Sequence, residues 1–156
     1  MRATVVTASN RAAAGVYEDT GGPVIVAALR EVGFEVTGPV VVPDGQPVAD
    51  AIRDAVAGGA RAVLTTGGTG LTPTDLTPEA TRPLLDREVP GIAEAIRAYG
   101  VAHGVPTAAL SRGLAGVSGQ ALVVNLPGSR GGVKDGLAVV VPLLRHAVEQ
   151  IVGSDH

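Results

Sequence analysis

The chain has no cysteine, which excludes disulfides, thiolate metal sites and a cysteine nucleophile. Aromatic residues make up only 2%, so platforms for stacking nucleic-acid bases or a flavin ring are poorly supplied. A single lysine occurs, Lys134, and 12 basic residues face 15 acidic ones with no basic block. The electrostatic footprint of a nucleic-acid binder is therefore missing. No apolar run reaches the ~20 residues that a membrane-spanning helix needs. The N-terminus goes straight into a strand pattern instead of a leader. These absences predict a soluble, cytoplasmic protein with neither nucleic acid nor membrane as a partner. The 156 residues are 46% apolar, enough for one ordered domain with a full core over 1–153 and a frayed tail at 154–156.

What the chain does have is glycine at strand ends. Residues 62–64 read as the end of a buried strand and run into Thr65-Thr66-Gly67-Gly68-Thr69-Gly70. Three glycines in four residues remove side chains that would keep backbone N–H groups away from a ligand. Asp75 follows, and then Thr77-Pro78, a capping residue with proline at the first helical position. Strand, glycine loop and helix start form a common anion site. The spacing matches neither a P-loop, which needs a lysine, nor a dinucleotide fingerprint, which needs glycine where Pro73 stands.

Read in order, the chain alternates strands and helices. Strands are expected at 3–8, 34–42, 61–66 and 121–126, with Gly38-Pro39 weakening the second. Helices are expected from Pro23, Pro47 and Thr77, then over 92–99, 106–114 and 133–152, with Pro142 kinking or restarting the last. Within these, Ile92, Ala95, Ile96 and Tyr99 share one helix side. The strand at 121–126 is nearly all apolar and should be central. The pattern predicts an α/β fold, a three-layer α/β/α sandwich with a mostly parallel sheet. In such a sheet the loops after the four strands meet at one edge. That edge gathers Ser9 and Asn10, Asp44, the stretch from Thr66 to Asp75, and Asn125, Pro127, Gly128 and Ser129.

Asp44 and Asp75 each have two readings. Either could be a turn aspartate that bonds nearby backbone, or the pair could hold Mg²⁺ against phosphates. Asp19 could cap the helix near Pro23. Arg112 could form a surface salt bridge or support a pocket, with Ser111 beside it. Arg130 and Lys134 read as solvated surface, and His103, His146 and His156 lack metal spacing.

The run Thr-Thr-Gly67-Gly68-Thr-Gly70, Asp75 and Thr77-Pro-Glu-Ala-Thr81 resembles the molybdopterin-binding family of MogA/MoaB type. Asp19-Thr-Gly-Gly, Pro43-Asp44, Leu110-Ser-Arg and Asn125-Leu-Pro-Gly-Ser129 add to it, and the resemblance spans nearly the whole chain. It implies adenylyl transfer from ATP to molybdopterin, releasing pyrophosphate. It also implies Asp44 and Asp75 as catalytic and Mg²⁺-binding residues. Substrate contacts would come from Ser9, Asn10, Asp19, Thr66, Gly67, Gly68, Thr69, Gly70, Ser111, Asn125, Pro127, Gly128 and Ser129. A homotrimer, with contacts to other molybdenum-cofactor biosynthesis proteins, is implied as well. Asn10 departs from the family's usual aspartate. The alternative is a non-catalytic molybdopterin-binding or assembly protein of the same fold.

Overall fold

Strand β6 (Ala121–Leu126) is buried along its whole length, as a run that is apolar but for Asn125 leads one to expect. The computed structural model, which describes residues 1–154, sets it in a six-stranded sheet of order β2-β1-β3-β6-β5-β4. β1 (Arg2–Ala8), β2 (Glu35–Val42), β3 (Ala62–Thr66) and β6 run parallel. β5 (Ala115–Ser118) and β4 (Arg87–Glu88) add an antiparallel edge.

Alternation along each strand feeds two cores. Val5, Leu64, Leu122 and Val124 point to one face, where Ile25 and Leu29 of α2 (Gly21–Glu31), Ile92 and Ile96 of α5 (Pro90–Ala102), and Val140 and Leu144 of α6 (Arg130–Ile151) cover them. Val6, Val63 and Val123 point to the other face, beneath Val48 and Ile52 of α3 (Gln46–Ala57). Helix, sheet and helix make the three layers. Among the described residues no helix is long and apolar enough to cross a membrane.

Several local expectations are corrected. A short helix, α1 (Asn10–Ala13), follows β1, capped by Ser9. The expected helix from Thr77 is one turn of α-helix, α4 (Thr77–Thr81), followed by a 3₁₀ turn (Arg82–Leu84). Thr77 does not cap it; it is the first helical residue, fully buried, and its hydroxyl is used elsewhere. The expected helix over 106–114 is a 3₁₀ turn (Pro106–Leu110), so Ser111 and Arg112 lie on extended chain. α5 buries Ala93 and Gly100 with Ile92 and Ile96, while Ala95 is exposed and Tyr99 only half-buried. α6 runs uninterrupted through Pro142 and starts earlier than expected, at Arg130. Pro39 sits in β2, where an edge strand tolerates the missing donor. Of the tail expected at 154–156, residues 155 and 156, His156 among them, lie outside the described residues.

Candidate ligand site at the sheet edge

The glycine loops after β3 and β6 meet backbone to backbone. Gly67 has φ +92° and Gly68 φ +68°, conformations open to residues without a side chain. The Gly67 N–H donates to the Leu126 carbonyl at 3.3 Å, and the Thr66 hydroxyl donates to the Pro127 carbonyl at 2.7 Å. A side chain on Gly128 would stand 3.1 Å from the Gly67 Cα. The two loops therefore form one ridge, with a cleft on each side.

The first cleft, about 230 Å³, opens where β1 and β3 part, at the topological switch point. Thr7, Ser9, Tyr17, Asp19, Thr66 and Gly67 line it on one side, and Gly128, Ser129 and Arg130 on the other. Asp19 is held in place: its Oδ2 accepts from the Thr7 hydroxyl at 2.9 Å and its Oδ1 from the Gly22 N–H at 3.0 Å. It thus also tethers the start of α2, as its alternative reading expected. Ser9 accepts from the Ala12 N–H at 3.1 Å. Arg11 lies over the Tyr17 ring, 5.3 Å from its centre.

The second cleft, about 370 Å³, holds Gly68, Thr69, Gly70, Asp75 and Ser111 at the loop end and Ile96, Val105 and Leu110 as apolar walls. Pro127, Gly128 and Ser129 close it, so Gly128 and Ser129 border both clefts. Ser129 caps α6 by accepting from the Gly132 N–H at 3.0 Å. The N-terminus of a 22-residue helix thus opens onto the shared boundary, a setting that favours anions.

Both candidate carboxylates lie against the glycine loop. Asp44 Oδ1 accepts from the Gly45 N–H at 2.7 Å and the Thr77 hydroxyl at 3.1 Å, and Oδ2 accepts from the Leu76 N–H at 3.1 Å. Asp75 Oδ2 accepts from the Thr72 N–H at 3.0 Å and lies 2.8 Å from where a Cβ on Gly70 would stand. Asp44 lines neither cleft and braces the loop from behind, while Asp75 faces the second cleft. Among the described residues no group of three or more His, Asp or Glu could hold a metal. Asp44 Oδ2 accepts one bond and Asp75 Oδ1 none among these residues, so each carboxylate keeps a lone pair. Magnesium uses one or two carboxylates and completes its shell with water and substrate phosphate; of these two, Asp75 is the carboxylate with a free oxygen beside a cleft.

Two candidates stand elsewhere. Asn125 is 3% exposed and lines neither cleft. Its Oδ1 accepts from the Leu114 N–H at 3.0 Å, and its Nδ2 donates to Thr65 at 3.0 Å and Thr81 at 3.1 Å. Strand alternation turns this amide into the interior, where protein groups occupy both its oxygen and its nitrogen. Asn10 lines neither cleft either; its Oδ1 accepts from the Asp44 N–H at 3.0 Å. Arg130, read as solvated surface, borders the first cleft, while Lys134 borders neither. His103 is exposed and stacks on Tyr99, and His146 is exposed. The apolar walls Ile96, Val105 and Leu110 and the acid Asp135 were missed, because nothing in their spacing separates a cleft wall from core or surface.

A mostly parallel α/β sheet carrying two joined clefts at its carboxyl edge has the architecture of a switch-point ligand-binding domain. The family model described as "Probable molybdopterin binding domain" matches residues 4–146, and the chain belongs to this family. It is 41% identical over 155 residues to a molybdenum cofactor biosynthesis bifunctional protein of Synechococcus elongatus, covering 99% of this chain and 48% of that protein. It is 38% identical over 153 residues to a molybdopterin adenylyltransferase of Pyrococcus furiosus, covering 93% and 90%. The solved structure of the molybdopterin biosynthesis Mog protein from Mycobacterium ulcerans superposes with a TM-score of 0.91 at 50% identity, covering 96% and 98%. The chain spans half or less of the length of several curated relatives, the Synechococcus protein among them.

Proposed function

We propose that this chain is a molybdopterin adenylyltransferase. One observation carries the reading: two clefts of different character share a boundary at Gly128 and Ser129. A reaction that joins two substrates needs two such sites with their reacting ends together. The first cleft, polar and edged by Tyr17 and Asp19, suits a hydrogen-bonding pterin. The second, walled by Ile96, Val105 and Leu110, suits adenine.

In the reaction a terminal phosphate oxygen of molybdopterin attacks the α-phosphorus of ATP. The new P–O bond forms as the bond to the β-phosphate oxygen breaks, and pyrophosphate leaves. Two anions must approach, so charge management dominates. Backbone N–H groups at the start of α6 and along Gly68–Gly70 would receive phosphate oxygens at the ridge. Asp44 holds the exit of the Gly68–Asp75 loop through Leu76 and Thr77. Magnesium bound by Asp44 and Asp75 would neutralise phosphate charge there. No protein nucleophile is required.

A second reading, a non-catalytic molybdopterin-binding or assembly protein, is favoured by one observation. Asp44 spends three hydrogen bonds on the protein itself and faces neither cleft. Incubation with molybdopterin, ATP and Mg²⁺ separates the two: pyrophosphate and adenylated pterin support the transferase, whereas bound pterin without turnover supports the alternative. The working assembly we propose is a homotrimer in the cytoplasm, in contact with other molybdenum-cofactor biosynthesis proteins. Light scattering at micromolar concentration is expected to give three times the chain mass; a stable monomer rejects the trimer.

A further inference from the structure

We infer that Arg112 is the positioning residue that holds the Asp75 loop in its working place, an inference resting on the adenylyl-transfer reading above. Asp44 and the Thr77 N–H, which donates to the Gly68 carbonyl at 3.1 Å, hold the exit of the loop at Leu76 and Thr77, but neither reaches the excursion between Gly70 and Asp75. Residues 71–74 are all exposed, Leu71 at 64%, so no apolar side chain anchors the excursion in a core. Its own bonds are the Asp75 N–H to the Thr72 carbonyl and the Thr72 N–H to Asp75 Oδ2, both 3.0 Å, and the bond between the Thr72 and Thr74 hydroxyls at 3.3 Å. These shape the turn but do not place it relative to the clefts.

Arg112 does place it. Its Nε donates to the Gly70 carbonyl at 2.9 Å and its Nη2 to the Asp75 carbonyl at 2.8 Å. One guanidinium therefore grips both ends of the excursion. The Arg112 backbone N–H donates to the Thr69 carbonyl at 2.8 Å, adding a third grip just upstream. Nη1 pairs with Glu79 on α4, and that bond draws the Glu79 carboxyl below its ordinary pKa. The pair orients the guanidinium plane from the far side.

The anchor itself is firm. Arg112 lies on extended chain two residues before Leu114, whose N–H is held by the buried Asn125. Arg112 lines neither cleft, so it acts on the reaction only through Asp75. A lysine keeps the charge but not the planar fork that reaches two carbonyls at once. Misplacing a reacting-site group by about 1 Å can cost on the order of 100-fold in rate.

The test uses the full chain with Arg112→Lys and Arg112→Ala. Pyrophosphate release gives kcat and KM for both substrates, and hydrogen exchange reads the Thr72 and Asp75 amides. Arg112→Lys is expected to lower kcat by about 10- to 100-fold, with KM for molybdopterin within about twofold and both amides exchanging faster. Added guanidinium should restore part of the Arg112→Ala turnover, which a merely structural lesion would not allow. Wild-type kcat together with wild-type exchange in Arg112→Lys overturns the inference. If Arg112→Ala fails to fold, the Arg112→Lys exchange decides alone. If the wild-type chain releases no pyrophosphate, the transferase reading falls, and the same exchange measurement still decides whether Arg112 holds the loop: faster exchange keeps that role and unchanged exchange removes it.

Discussion

Asn10 on α1 and Asp44 after β2, 34 residues apart, are joined by one hydrogen bond: the Asn10 side-chain oxygen accepts the Asp44 backbone N–H at 3.0 Å. It couples the loops that leave two neighbouring parallel strands. An aspartate at position 10 would offer the same acceptor.

Asn10→Asp is therefore expected to keep kcat/KM within about threefold of wild type. Asn10→Leu removes the acceptor, a loss of about 1 kcal/mol in the order of the Asp44 turn, and should lower kcat/KM by roughly five- to tenfold. Pyrophosphate-release kinetics on both variants check this; an aspartate variant as damaged as the leucine one contradicts it.

Asp75→Asn should lower kcat by about 100-fold or more while leaving the fold intact. The residue is half-buried on an exposed loop, and an asparagine oxygen can still accept from the Thr72 N–H. Only the negative charge is lost. Circular dichroism and turnover on the same sample decide the matter, and a folded variant with full activity removes Asp75 from the reaction.

Gly68→Ala is expected to disturb the protein before it disturbs the ligand. A Cβ at this position would strike the Asp44 carboxylate and the Thr77 hydroxyl, and the residue has φ +68°. The missing side chain makes room for Asp44, a role the loop's composition did not reveal. Strain of about 1–3 kcal/mol follows, or a Tm lower by roughly 2–4 °C per kcal/mol. Calorimetry checks the drop; an unchanged Tm means that Asp44 does not need this space.

Asn125→Ala leaves the Leu114 N–H without its partner inside the protein. About 2 kcal/mol of stability should be lost, seen as a lower urea midpoint with an unchanged slope. Because Asn125 borders neither cleft, pterin affinity of the folded variant should stay within about threefold of wild type. A large affinity loss at unchanged stability would restore Asn125 to the ligand surface.

Much of the fold is legible in one dimension because it rests on local periodicity. The apolar run of β6 marks a strand buried on both faces, and proline and glycine mark the helix starts and stops. β4 and β5 are different. One has two residues and the other contains glycine, so neither carries a pattern of its own. β5 forms because β6 presents an edge whose backbone groups need partners, and β4 pairs with β5 in turn.

The sequence alone determined the gathering of the site, since strands that run parallel deliver their loops to one edge whatever else they pack against. It placed the glycine loops, Asp75 and Ser129 at that edge. Only the tertiary structure decided which side chains face a cleft and which face the protein. Asn125 turns inward, Asp44 turns toward Thr77 and Leu76, and Arg112 reaches back over 37 residues to the Asp75 carbonyl. The cleft walls Ile96, Val105 and Leu110 arrive from α5 and the 3₁₀ turn that follows it. Spacing along the chain sets which face of an element a residue occupies; what that face meets depends on how distant segments pack.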